Sequence, residues 1–256
     1  MQSSDVTVDE EVYADQIEAS LIQLSDPVRA ELSKRFFKTG QGQYSEFDQF
    51  LGVTLPQIRA QLKKYSAIPL PILSKLLDSN FHEVRHFALL ALVSNFEQAF
   101  SRLDFESQKC IYMLYLEKSS QVNNWDLVDA SAHKIVGAYL FHFEKRSEKI
   151  LFELANSNLL WQRRIAMVAC WYFIGRDSLD VPLNVAERLL DDKEDLIQKA
   201  VGWMLRELGK QNLERLKRFL EAHYSQLSRT TLRYAIEKFP EEERQLALKG
   251  MFQSSS

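Results

Sequence analysis

Residues 123–140 read NNWDLVDASAHKIVGAYL. Trp125 and Asp129 stand four residues apart in a stretch with helical composition, so they share one helix face, one turn apart. On a solvent face the indole would go unused, and in a core the carboxylate would be costly. The pair fits the wall of a groove at which something polar docks. Two later stretches, LLWQRRIAMV (159–168) and DLIQKAVGWMLRELGK (195–210), carry two more residues out of place in a plain core, Arg164 and Trp203. Trp125, Arg164 and Trp203 follow one another at intervals of 39 residues. Equal spacing of this size is what stacked two-helix repeats produce. Equivalent positions in such repeats line one surface of a curved solenoid, so all four residues are expected on one concave wall.

Outward from this stretch the chain reads as helix after helix. Val12, Ile17, Leu21 and Leu24 keep near-helical spacing. Pro27 suits a first helical position ahead of PVRAELSKRFFK. A polar, Gly-containing loop follows (TGQGQYSEFDQFLGVTL), then a helix from Pro56 and a short one in IPLPILSKLLDS. Longer helices are predicted to begin near His82, Asp104, Asn124, Ser147, Leu159, Val181, Asp195, Asn212 and Ser228. No segment alternates well enough for a strand. Only 8 Gly and 6 Pro in 256 residues argue against a turn-rich β fold, and 46% hydrophobic with 26% charged residues can build a full core. The reading is all-α: one domain over 11–248 between flexible tails at 1–10 and 249–256, a right-handed solenoid with an atypical N-terminal cap.

A net charge of −3 does not by itself point to nucleic acid, although one face can still be basic. Cys110 and Cys170 lack ligand spacing and read as buried free thiols. Among the five histidines, His82 and His86 have i, i+4 spacing that can chelate a metal, but no third ligand is evident. The N-terminus has no apolar signal core and no apolar run is long enough to span a bilayer, so a cytoplasmic protein is the expectation. Trp161 and Trp171 read as core, and the charge runs DDKED and EEER as solvated helix ends.

NNWDLVDASA, LLWQRRIAMV and DLIQKAVGWMLRELGK, in this order and spacing, resemble the AlkD-like family of DNA alkylation repair proteins. YSEFDQFLGVTLPQIRAQLKKY and FHEVRHFALLALVSNFE resemble the family's N-terminal pattern, so the likeness covers roughly residues 10 to 240. The resemblance implies HEAT-like two-helix repeats around a concave groove for duplex DNA. It also implies a glycosylase that removes cationic N3- and N7-alkylated purines without flipping the base. Carried over residue by residue, it assigns Trp125 to the deoxyribose, Asp129 to the anomeric carbon, Arg164 to a neighbouring phosphate, and Trp203 to a second aromatic contact. Many relatives have Pro before His in the first motif. Here the residues are Ala132-His133-Lys134, a departure expected to alter the helix geometry slightly.

The chemistry fits these residue types. A cationic alkylpurine is already a good leaving group and needs no general acid. What remains is the oxocarbenium-like sugar, which a fixed carboxylate stabilises; Asp129 can also hold the attacking water. An aromatic face attracts a nearby cation by roughly 0.5–2 kcal/mol, so Trp125 and Trp203 would favour the charged nucleoside. Arg163, Lys199, Arg206 and Arg229 join Arg164 as candidate backbone contacts, although Arg163 also reads as a structural partner. Lys199, Trp203 and Arg206 lie at i, i+4 and i+7 and share a helix face. The expectation is a monomeric, monofunctional glycosylase acting on double-stranded DNA, with no metal and no cofactor. Two rivals stand beside it: a non-catalytic relative binding distorted DNA, and a protein-binding scaffold.

Overall fold

The computed structural model describes residues 5–65, 67–143 and 147–252. Its regular secondary structure is helical, and among the described residues one isolated β-bridge joins Gln49 and Phe81. By its internal contacts the chain divides after Ser131 into two compact units.

The first unit contains α1 (Asp5–Ile22), α2 (Pro27–Phe36), α3 (Leu55–Leu62), α4 (Leu70–Leu77), α5 (His82–Ser101), α6 (Phe105–Glu117) and most of α7 (Trp125–Ala132). Helix α1 begins at Asp5, inside the stretch expected as a tail; residues 1–4 and 253–256 of the expected tails lie outside the described residues. Local chemistry sets several helix starts. The Asp26 carboxylate accepts the Val28 and Arg29 N–H groups at 3.0 and 3.1 Å, with Pro27 at the first helical position of α2. Asp104 accepts the Ser107 N–H at 3.0 Å at the start of α6. Helix α5 is the centre of the unit, packed by α1, α3, α4 and α6. Ile17, Leu73, Leu76, Leu77, Phe87 and Phe96 form its apolar core. Yet the first turns of α5 also bury His82, Glu83, Arg85 and His86. Cys110, expected in the core, is exposed on α6 instead; Ile111, Tyr112 and Tyr115 carry that helix's buried face.

The second unit continues the helix of α7 through a π turn, His133–Gly137, into α8 (Ala138–Phe143). It then contains α9 (Ser147–Ala155), α10 (Leu160–Ile174), α11 (Asp180–Arg188), α12 (Asp195–Gln211), α13 (Leu213–Ala222), α14 (Arg229–Ala235) and α15 (Glu241–Ala247). The π turn spans the point where Ala132-His133-Lys134 departs from the common motif. Asn212 and Ser228 cap α13 and α14 by accepting the Arg215 and Thr231 N–H groups at 2.9 and 3.0 Å. The π turn, α10, α12 and α14 pack on one another in chain order, and α9 packs on α11 beside them. That alternation is the arrangement of a solenoid of helix pairs.

Two glycines let the inner row close to backbone contact. A Cβ on Gly137 would lie 2.3 Å from the Ala169 carbonyl oxygen, and one on Gly202 would lie 2.6 Å from the Thr231 carbonyl oxygen. The Tyr224 hydroxyl donates to the Leu248 carbonyl at 2.9 Å, and within residues 249–252, expected as tail, the Phe252 ring packs edge-on to Tyr224. No described helix is long and apolar enough to cross a membrane.

Candidate active site

The start of α7 is fixed by side chains. Asn124 is fully buried; its amide donates to Ser45 Oγ at 2.7 Å and Asp48 Oδ2 at 3.1 Å, and its Oδ1 accepts the Trp125 N–H at 2.8 Å. Asn123 donates to the other Asp48 oxygen at 3.3 Å. The two asparagines therefore hold the first turn of α7 against the loop of residues 45–48. From that anchor Trp125 and Asp129 emerge on one face, both half-buried. The Trp125 ring stacks on Phe37 with centroids 5.6 Å apart and meets Phe36 edge-on at 5.9 Å. Asp129 lies one turn on. Burial raises the pKa of Tyr115, whose hydroxyl bonds Ser131 Oγ at 2.9 Å, and the Asp129 charge adds a smaller push in the same direction.

Asp126, next to Trp125, has a different environment. Its Oδ2 lies 2.8 Å from His82 Nε2 and 3.5 Å from His86 Nδ1. On the far side of the His82 ring, Nδ1 lies 3.5 Å from Asp48 Oδ2. Asp48 in turn accepts from Arg85 Nη2 at 2.7 Å, and Arg85 Nη1 donates to the Ser79 carbonyl at 2.7 Å. Burial alone would lower the His82 pKa; the charge and hydrogen bond of Asp126, with those of Asp48, overcome it and raise the pKa to about 9. His86 is pushed the other way, to about 4, chiefly by burial, which the Asp126 charge offsets only in part. Burial raises both carboxyls, but His82 and Arg85 hold Asp48, and His82 holds Asp126, below the usual value. The third partner that the spacing of His82 and His86 lacked in sequence is thus Asp126.

In the second unit, Trp203 is half-buried and meets Trp171 edge-on at 5.1 Å; Trp171 packs on His133 at 4.6 Å. Trp161 and Trp171, read as core, are both only half-buried. Arg164 is buried at 5% exposure, and its Nη1 donates to the Leu196 carbonyl at 2.5 Å. Arg163 bonds Asp192 at 2.6 Å and the Ser157 carbonyl at 3.0 Å. Asp192 of the DDKED run is accordingly only 8% exposed at its side chain rather than solvated. Lys199 pairs with Asp195 at 2.7 Å, Arg206 with Glu207 at 3.5 Å and with Glu237, and Arg229 donates to the Leu248 carbonyl at 2.8 Å.

Sequence reasoning missed Phe36, Phe37, Asp126 and Trp171. The paired Phe residues before a polar loop were a visible signal for aromatic contact. Nothing local connected Asp126 to histidines some forty residues earlier.

The fold and these residues define an all-helical protein of stacked helix pairs with a half-exposed carboxylate beside an indole. A solved structure described as a predicted DNA alkylation repair enzyme from Enterococcus faecalis is similar to it, with TM-score 0.65 and 19% identity over 85% of this chain and 97% of the other. That likeness carries the fold. The family model for DNA alkylation repair enzymes matches residues 17–239. The chain belongs to that family. No curated protein matches it in sequence.

Proposed function

We propose that the protein is a monofunctional DNA glycosylase. In this reading it excises cationic N3- and N7-alkylated purines from duplex DNA, without flipping the base, and leaves an abasic site. The observation that carries the reading is Asp129, half-buried on the same face of α7 as Trp125. A half-buried carboxylate there stays reachable, which stabilisation of an oxocarbenium-like sugar requires. The leaving group is already positive, so no general acid is needed. Trp125 would lie against the deoxyribose. Trp203 and Arg164 take the aromatic and phosphate roles that the resemblance carries to them, and Arg163, Lys199, Arg206 and Arg229 are the further backbone contacts. Selection by charge and bond lability, rather than by a base pocket, would tolerate bulky adducts. The protein would act in the cytoplasm as a monomer.

The test is release of N7-methylguanine and N3-methyladenine from methylated duplex DNA. The natural protein is expected to release both. Asp129→Asn is expected to lose on the order of a hundredfold or more in rate, the scale for removing one fixed electrostatic contact to a transition state. No release by the natural protein sinks the proposal.

One observation favours a second reading. Arg163, Lys199 and Arg206 all have acidic partners within the protein, which lowers the positive field offered to a phosphate backbone. A protein scaffold would be compatible with that, and absence of any salt-dependent DNA binding would select it.

A further inference from the structure

We propose that His82, His86 and Asp126 form a binding site for one divalent transition-metal cation, of which Zn²⁺ is the reference. The site stands on coordination geometry and is independent of the glycosylase reading. One ligand atom from each of the three residues can be chosen so that all lie within 4.8 Å of one another. Ligands of one zinc ion, each about 2.0–2.2 Å from it, lie roughly 3–4 Å apart. The set is therefore within a small side-chain rotation of a coordination shell. His82 and His86 are one turn apart on α5, and Asp126 comes from the first turn of α7.

Two features separate this cluster from an ordinary buried ion network. The first is His86. It is 6% exposed, and its Nε2 is buried with no hydrogen-bond partner among the described residues. Its Nδ1 stands 3.5 Å from Asp126, too far for a good hydrogen bond. A buried imidazole with neither nitrogen well engaged leaves a polar group uncompensated. Donation of the Nδ1 electron pair to a cation beside Asp126 Oδ2 engages this ring through the nitrogen that faces the cluster.

The second feature is the support behind the ligands. Metal-bound histidines characteristically direct their other ring nitrogen at a carboxylate or carbonyl. Here Nδ1 of His82 faces the Asp48 carboxylate at 3.5 Å, longer than a hydrogen bond but in the direction such support takes, and Asp48 is itself gripped by Arg85 and Asn124. Asp126 Oδ1 accepts the Leu127 N–H at 2.9 Å, which leaves Oδ2 to the cation. The Asp126 side chain is 18% exposed, so a water can complete the coordination. On binding, the cation takes the place of the proton held by His82, which passes to solvent. The ion would take no part in bond cleavage. It would tie the start of α7, which carries Trp125 and Asp129, to α5.

The experiment uses the full-length protein, stripped with a chelator and dialysed, then titrated with ZnCl₂ by calorimetry and with CoCl₂ by visible absorption. One equivalent of zinc is expected, with a Tm rise on the order of 5 °C at about a hundredfold excess over Kd. His86→Gln is expected to weaken zinc binding by about a hundredfold, since losing a ligand outweighs losing an outer partner. Cys110→Ser and His223→Gln should bind as the natural protein does. Absence of zinc binding at micromolar protein, or equal binding by His86→Gln, overturns the proposal. Should His86→Gln fail to fold, the Co²⁺ complex of the natural protein decides. Ligand-field bands at one equivalent support the site, and the spectrum of hexaaqua cobalt overturns it.

Discussion

Among the described residues, the first unit buries eleven polar or charged side chains, whereas the second buries three, Arg164, Lys217 and Thr231. The difference follows from what each unit must hold in place. Apart from the π turn, the second unit is a row of regular helices, and regular helices fit side-chain ridges into grooves with little polar help. The first unit must also fix the irregular stretch between α2 and α3 and the start of α7. Irregular backbone exposes N–H and C=O groups that have to be satisfied one at a time. Glu83 does this by accepting the Leu51 and Gly52 N–H groups at 2.9 and 2.8 Å, and Arg85 does it at the Ser79 carbonyl. The residues proposed for function are divided between the two: the first unit carries Asp129 and Trp125, and the second carries Arg164 and Trp203.

The sharpest way to break this contrast is Arg85→Met. Asp48 and Arg85 are each 3% exposed at the side chain. Removing the cation alone strips the buried carboxylate of its closest charged partner and leaves His82 at 3.5 Å, a loss of about 3 kcal/mol. Urea unfolding should record that loss, and adding Asp48→Asn should recover part of it. A loss under about 1 kcal/mol would mean that the network is not what holds the first unit.

The next effect is pH dependence in metal-free buffer. His82 has its pKa raised to about 9, so its stabilisation is full below the unfolded value near 6.5 and is lost as pH rises toward 9. His86 has its pKa depressed to about 4, so its contribution is full above 6.5 and is lost as pH falls toward 4. The two act in opposite directions, and stability should peak near pH 6.5. Each limb is worth on the order of 3 kcal/mol. His82→Asn should flatten the alkaline limb and His86→Gln the acid limb. A profile that is flat from pH 5 to 8.5 would count against the charged network.

The smallest effects probe the second unit. Gly137→Ala and Gly202→Ala push a methyl into backbone at 2.3 and 2.6 Å. Each should lose about 1–3 kcal/mol despite the helix-favouring change. Gly175→Ala meets nothing closer than 3.6 Å at a right-handed backbone position, so it should be neutral or gain up to about 1 kcal/mol. Thermal unfolding of the three variants compares them directly. Equal behaviour would remove the argument for close backbone packing.

Much of the helical order was legible because caps and apolar periods are local. Asp26, Asp104, Asn212 and Ser228 each mark a helix start within a few residues of chain, and the structure has helices there. Helix α15 was not singled out, although Pro240 followed by three glutamates in its first turn is a recognisable start. The shared face of Trp125 and Asp129 followed from their spacing alone. The exposure of Cys110 did not, because α6 has apolar residues on more than one face and the sequence does not say which face is covered.

By itself, then, the sequence determined the helices, the 39-residue interval and the family pattern, all of which depend on neighbours along the chain or on ordered motifs. Only the tertiary structure decided which charges meet. Asp48, His82 and Asp126 come from a loop and two helices, and no local rule relates them. Their ionisation depends on burial and on distances of a few ångströms, because a charge removed from water interacts strongly with whatever lies next to it.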